Sequence, residues 1–349
     1  MEINTAGGQK KEKSNRLKHL DIARGICIFF VVLGHAIIPG IRNNNKILEY
    51  IYKYIYSFHM PVFFIISGII FENNVYKYKD KLLFLKKKAK LLLVPYFTFS
   101  VITYIGVEIC LKLNGIKEIL LGMGYKSSNF LNMIISIFFY NNHIDKHLWF
   151  VYLLFLIFSI NIITSKNKKK SLIISIVIVL TTYFLNLTKY WDILKYSTFF
   201  VFFSLGRFWD KYKFIELRFK HIIVAFIVFN LFTFINIMCN IGGLVEKVFV
   251  ILIGCLGTII ILEISKYILK KEYGICNILS TLYKYSYDIY LIHQPFIVSG
   301  VMGVLVKINV FSIYLKLLIV TIEGMLLPIM ISKYVLRKNK WLMKLCLGK

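Results

Sequence analysis

Long apolar runs separated by short lysine-rich segments set the pattern of this chain. Ten such runs can be marked, at about 20–38, 55–72, 91–111, 147–165, 171–187, 195–210, 221–239, 247–265, 286–306 and 309–335. Each has about the length an α-helix needs to cross roughly 30 Å of hydrocarbon. Residues 128–140 are apolar but short, and read as an interfacial or re-entrant helix. The expected fold is an all-α integral membrane bundle of about ten transmembrane helices. It divides into a basic tail at 1–19, a ten-helix membrane domain at 20–336 and a second basic tail at 337–349.

Composition agrees with this class. Hydrophobic residues make up 58% of the chain, above the roughly 45–50% of soluble domains. The mean hydropathy is +0.68. A net charge of +27 in a soluble protein would suggest nucleic acid. Here the charge follows topology instead, so no nucleic-acid partner is expected. Counting the residues at run edges (Lys195, Arg207, Lys247 and Lys333) with the adjoining segments, both tails and one alternating set of loops carry 31 of the 44 Lys and Arg, the other set carries 11, and Arg24 and Lys316 complete the total inside apolar runs. That bias places both termini in the cytoplasm. The first twenty residues are polar and basic and lack the features of a removed leader. Six scattered cysteines show neither disulfide nor metal-ligand spacing.

The candidate chemistry begins in the first apolar run, LDIARGICIFFVVLGH at 20–35. Eleven residues return a helix to within about 20° of its starting azimuth, so Arg24 and His35 share a face roughly 16 Å apart along the axis. Asp21 lies one turn below Arg24. Ionisable groups aligned on an apolar helix are costly in a membrane and imply a function. With alternating direction, His59, His147 and Trp149 gather near the outer end with His35, and His293 lies nearer the middle. Lys86, Lys87, Lys88, Lys90 and Arg207 gather at the cytoplasmic edge. Plainer readings exist for each. Arg24 can snorkel to the interface, the lysine run can meet lipid headgroups, and Trp149 with His147 can anchor the interface. Ser286 and His293 can cross-link helices, Lys316 is expected to snorkel outward, and Glu323 has no assigned role.

The chain resembles the acyltransferase-3 superfamily in LDIARG…GHA at 20–36, FHMPVFFIISG at 58–68, KKKAK and VPY within 86–96, LWFV at 148–151 and SYDIYLIH at 286–293. The HMP and LWF stretches look most like the fucose 4-O-acetyltransferase group. The resemblance implies a multi-pass protein of the cell membrane that moves an acyl group, usually acetyl from acetyl-CoA. The acceptor is a hydroxyl of a surface or lipid-linked sugar in the cell envelope, as in polysaccharide modification. Some relatives append an esterase-like domain; this sequence stops at Lys349, and none is expected. Relatives often carry arginines where 86–90 holds only lysines, and lysine keeps the charge but loses the bidentate fork.

Read this way, His35 is the base, near its working pH, with Arg24 and Asp21 as its catalytic companions. Arg24, Lys87, Lys90 and Arg207 would hold the donor phosphates. His59, His147 and Trp149 would bind the acceptor, with Ser286 and His293 in support. His35 acts either as general base in direct transfer or as a covalent acyl carrier; direct transfer needs fewer steps. The expected partners are the lipid bilayer, acyl-CoA as donor substrate and the sugar, with no bound cofactor and no metal. The competing reading is an exporter of a lipid-linked or polymeric saccharide, though no repeat of the transporter kind is evident.

Overall fold

The computed structural model describes residues 5–77, 80–122, 124–138, 146–209, 218–239, 241–271 and 274–349. Residues 1–4 of the first tail, 139–140 of the short apolar stretch and 210 of the sixth run lie outside the described residues. Every regular element among those described is helical. The helices that position the site are α1 (Thr5–Ala36), α2 (Lys46–Tyr56), α3 (His59–Asn74), α4 (Lys81–Cys110), α5 (Phe130–Phe138), α6 (Trp149–Ile163) and α7 (Lys168–Phe184). They continue with α8 (Thr198–Phe208), α9 (Phe219–Met238), α10 (Gly243–Lys270), α11 (Ile275–Ile292), α12 (Val301–Ile308), α13 (Ile313–Tyr334) and α14 (Lys340–Leu347).

All ten apolar runs are helical, but ten full spans are not reached. Among the described residues, seven helical segments are long and apolar enough to cross a bilayer. An eighth follows if Ser286–Ile292 and Phe296–Ile308, bent by 56° at His293–Pro295, count as one. The other two runs are short: α7 has 17 residues and α8 has 11. At 1.5 Å per residue they reach only about 25 and 16 Å. Composition marked these runs as apolar; the turns that trim them cut their length.

Helix starts follow from local chemistry. The side chains of Asn45, Asp80 and Asn339 each accept from two backbone N–H groups at the starts of α2, α4 and α14, satisfying donors that a helix end leaves open. The core forms around α1, whose Leu20, Ala23, Cys27, Ile28, Val31 and Val32 are buried and which packs against α3, α10, α11 and α13. By contrast α9 is peripheral, with only 11% of its apolar window buried, as a lipid-facing helix should be.

Two close approaches fix the Arg207 end of the bundle. A Cβ built on Gly68 would lie 2.1 Å from the Phe203 carbonyl oxygen, and one on Gly206 would lie 2.1 Å from that of Ile65. Helices α3 and α8 therefore touch backbone to backbone, which sets Arg207 against Glu72. The second tail is a folded element. Helix α14 packs on α4, Leu347 is buried, and Gly348 takes a left-handed turn at φ +66° against the Lys90 backbone. Lys316 departs from expectation too: it is buried and its Nζ donates to Asn309 Oδ1 at 3.3 Å. The amide oxygen at the left-handed end of α12 holds it inward.

Candidate active site

The geometry of the site follows from how α1 meets α11. A Cβ on Gly25 would lie 2.2 Å from the Leu279 carbonyl oxygen, so only glycine lets these backbones touch there. One turn further along α11, Tyr283 lies beside Asp21 and Arg24. Its ring lies 5.8 Å from the Arg24 guanidinium. At the far end of the same contact, the His293 ring lies 5.1 Å from that of His35. One glycine thus aligns both ends of the candidate machinery.

Three imidazoles converge. The His147 ring lies 6.4 Å from His35 and 5.2 Å from His293. His293 sits at the break that ends α11, fully buried. Its Nδ1 faces the carbonyls of Ile289 and Tyr290, each at 2.9 Å. A carbonyl only accepts, so Nδ1 carries the proton and Nε2 keeps its lone pair. Among the described residues that buried Nε2 has no hydrogen-bond partner. His59 is fixed likewise, Nδ1 donating to the Ile55 carbonyl at 2.6 Å, and its ring meets Tyr56 at 4.9 Å. Tyr56 in turn lies 6.2 Å from His35. Among the described residues no group of three or more His, Cys, Asp or Glu is disposed to hold a metal ion.

A cavity of about 390 Å³ runs along α1 toward these rings. Arg24, Ile28 and Val31 line it, at the spacing that continues to His35 on the same face. Arg24, Asn74, Lys88 and Lys349 mark one end, where α1 enters the bundle, α3 ends and α4 begins. Met60, Phe150 and Tyr290 mark the other. Tyr290 donates to the His147 carbonyl and its ring meets His147 at 5.6 Å. A single aromatic layer therefore separates the cavity from the histidines.

The residues named from sequence fall into three groups. His35, His147 and His293 are brought together at one end of the α1–α11 contact, Asp21 and Arg24 lie at its other end, and Ser286 lines the cavity with Arg24. Lys87 and Lys90 are exposed and do not line it. Their neighbour Lys88 does, with its ammonium 4.1 Å from the Phe158 ring centre. Arg207 lies outside the cavity. It is 0% exposed and its nitrogens donate to Glu72, Asn161 and the carbonyls of Thr164 and Ser165. Those are the contacts of a structural tie. Trp149 stacks on Tyr196 at 4.0 Å and 9°. Sequence reasoning missed Tyr283 and Tyr290, and it named Lys88 in the basic run without making it a donor contact. For Lys88 a signal was present, since Phe84, Lys88, Leu91, Leu92 and Pro95 fall at helical spacing on one face.

The acyltransferase-3 family model, an acyltransferase domain, matches residues 17–330. The chain belongs to the acyltransferase-3 family. It is a multi-pass membrane acyltransferase, and the matched span contains every group of the histidine cluster and all of the cavity lining except Lys349. Comparison with curated proteins and with solved structures finds no match to either.

Proposed function

We propose that this acyltransferase-3 protein moves an acyl group, acetyl in the first instance, from cytoplasmic acyl-CoA to a hydroxyl of an extracytoplasmic or lipid-linked sugar. On this reading it is an O-acetyltransferase of the cell membrane acting on a surface glycan, in the manner of the fucose 4-O-acetyltransferase group. One observation carries the proposal: a single cavity has a cationic end at Arg24 and Lys88 and an apolar bore that stops at Tyr290, whose ring meets His147 and His293, the two imidazoles beside His35. The roughly 16 Å of α1 between Arg24 and His35 is comparable to a pantetheine arm. Fixed cations hold the phosphates of the donor, and the bore excludes water from its thioester.

The chemistry then needs one proton acceptor and no further reagent. An imidazole takes the proton of the sugar hydroxyl as its oxygen attacks the thioester carbon. The tetrahedral intermediate collapses, the C–S bond breaks, and the proton passes to the departing CoA sulfur. His35 is the base on this reading. His293 is the second candidate, because its tautomer leaves Nε2 as an acceptor.

The test uses purified protein, acetyl-CoA labelled in the acetyl group, and a glycan acceptor from the parent membrane. His35→Ala should lower labelled product by at least about a thousandfold, a loss within the usual range for general-base catalysis, with the melting temperature unchanged. His293→Ala should lower it less. Full activity of the His35 variant would transfer the role to His293, and full activity of both would end the proposal. Acceptor movement without CoA release would favour the exporter instead.

A further inference from the structure

A second cavity, of about 370 Å³, lies among α2, α9 and α10 and shares no lining residue with the first. It is built from the end of α2, the start of α8, the end of α9 and the start of α10, the same end of the bundle as His35. Its wall nearest the histidines is Tyr56, whose ring lies 6.2 Å from His35. Gly34 makes that approach possible, since a Cβ there would lie 2.9 Å from Tyr56 Cε2.

The lining carries two polar groups that call for a ligand. Thr233 is 1% exposed, and among the described residues its Oγ1 has no hydrogen-bond partner. Three residues on, the buried Oδ1 of Asn236 has none either. Other polar side chains in these helices satisfy themselves locally: Ser67, Asn230, Thr258 and Ser265 each donate to the carbonyl four residues earlier. Thr233 and Asn236 do not, although a buried group left unpaired is costly. Both line the one cavity. They are neighbours on one face of α9, and Glu246 and Ser57 line the same cavity, the Ser57 hydroxyl donating to the Tyr54 carbonyl at 2.7 Å.

The remaining wall combines the rings of Tyr52, Tyr56 and Phe199 with the aliphatic side chains of Pro61, Val250 and three isoleucines, and Lys53 joins it. Tyr52 and Tyr56 lie 4.2 Å apart, and Phe199 backs onto Trp149 at 5.1 Å. Aromatic faces with a few fixed donors and acceptors, in a volume within the range of small-ligand sites, suit a neutral polyhydroxylated ring. Its C–H faces cover the rings and its hydroxyls meet the open polar atoms. We infer that this cavity is the acceptor subsite and that it takes a neutral pyranoside, held by Thr233, Asn236 and Glu246 with a hydroxyl presented past Tyr56 to His35. The word acceptor rests on the proposed acyl transfer; the binding of a pyranoside does not. His59 and Trp149, read from sequence as acceptor contacts, stand behind the walls that Tyr56 and Phe199 form.

Binding is measured without donor. Saturation-transfer NMR on purified protein is run with the methyl α-pyranosides of glucose, galactose, mannose, rhamnose, fucose and N-acetylglucosamine. At least one should bind, and Thr233→Val and Asn236→Leu should each weaken it by roughly tenfold, the loss of about one good hydrogen bond. Melting temperatures and the KM for acetyl-CoA should stay where they are. A glycoside that binds wild type and both variants equally overturns the assignment, as does failure of all six to bind wild type. If the glycoside binds as expected but no acetyl group reaches it from acetyl-CoA, the cavity assignment stands and the acyl-transfer reading falls.

Discussion

Two arginines at the same end of the bundle look alike in sequence and differ in surroundings. Arg207 has its Nε on Glu72 Oε2 at 2.9 Å and its terminal nitrogens on Asn161 and two carbonyls. Glu72 is itself 8% exposed and also meets Lys168 at 3.4 Å. Below Arg207, Asn161, Ser171, Ser204 and Ser175 form a line of side-chain hydrogen bonds. Arg24 instead lies over the Tyr283 ring at 5.8 Å and lines an open cavity. A buried cation whose donors are spent on its own protein is a tie between helices. One that faces a void is a binding group. The distinction lies in partners, not in depth.

The largest effect should come from breaking the tie. Arg207→Met leaves the buried Glu72 carboxylate with only the more exposed Lys168 and the Tyr76 hydroxyl on its other oxygen, and removing one partner of a buried pair costs ~3–5 kcal/mol. Thermal unfolding in detergent should show a marked fall in melting temperature. The double variant Arg207→Met with Glu72→Met should recover much of it, because no uncompensated charge remains. If the single variant melts like wild type but loses donor affinity, the two arginines are not different after all.

Arg24 should show the opposite split. Arg24→Met should leave the melting temperature within a few degrees of wild type while raising the KM for acetyl-CoA by about 10–100-fold, or ~1.4–2.8 kcal/mol of donor binding. Arg24→Lys should fall between, keeping the charge and losing the fork. Gel-stable protein with unchanged donor KM would place the phosphates elsewhere.

What could be read beforehand follows the same line between local and distant causes. The helical spacing that puts Asp21, Arg24 and His35 on one face is local, and the structure keeps it. The apolar runs are local too, although their usable lengths depend on turns that composition does not reveal. The meeting of His35 with His293 is not local: it depends on Gly25 touching the Leu279 carbonyl. Arg207 finds Glu72 across 135 positions of sequence, and nothing near either residue announces it. Thr233 and Asn236 sit in an apolar run with no pattern of its own, and only the cavity beside them gives them a meaning.

The smallest effect tests the comparison most finely, because it contrasts neighbours of one type. Lys87 and Lys90 point to solvent, whereas Lys88 turns into the cavity between Phe84 and Phe158. Its stem packs on the rings and its ammonium joins Arg24 at the cationic end. Lys88→Met keeps the packing and removes only the charge, so the KM for acetyl-CoA should rise by about 3–10-fold. Lys87→Met and Lys90→Met should leave it unchanged at physiological salt, where exposed charges are screened beyond about 8 Å. Equal rises in all three would mean that the donor meets a diffuse basic surface. A rise in Lys88→Met alone would mean that azimuth on α4, rather than the lysine count, decides which charge reaches the donor.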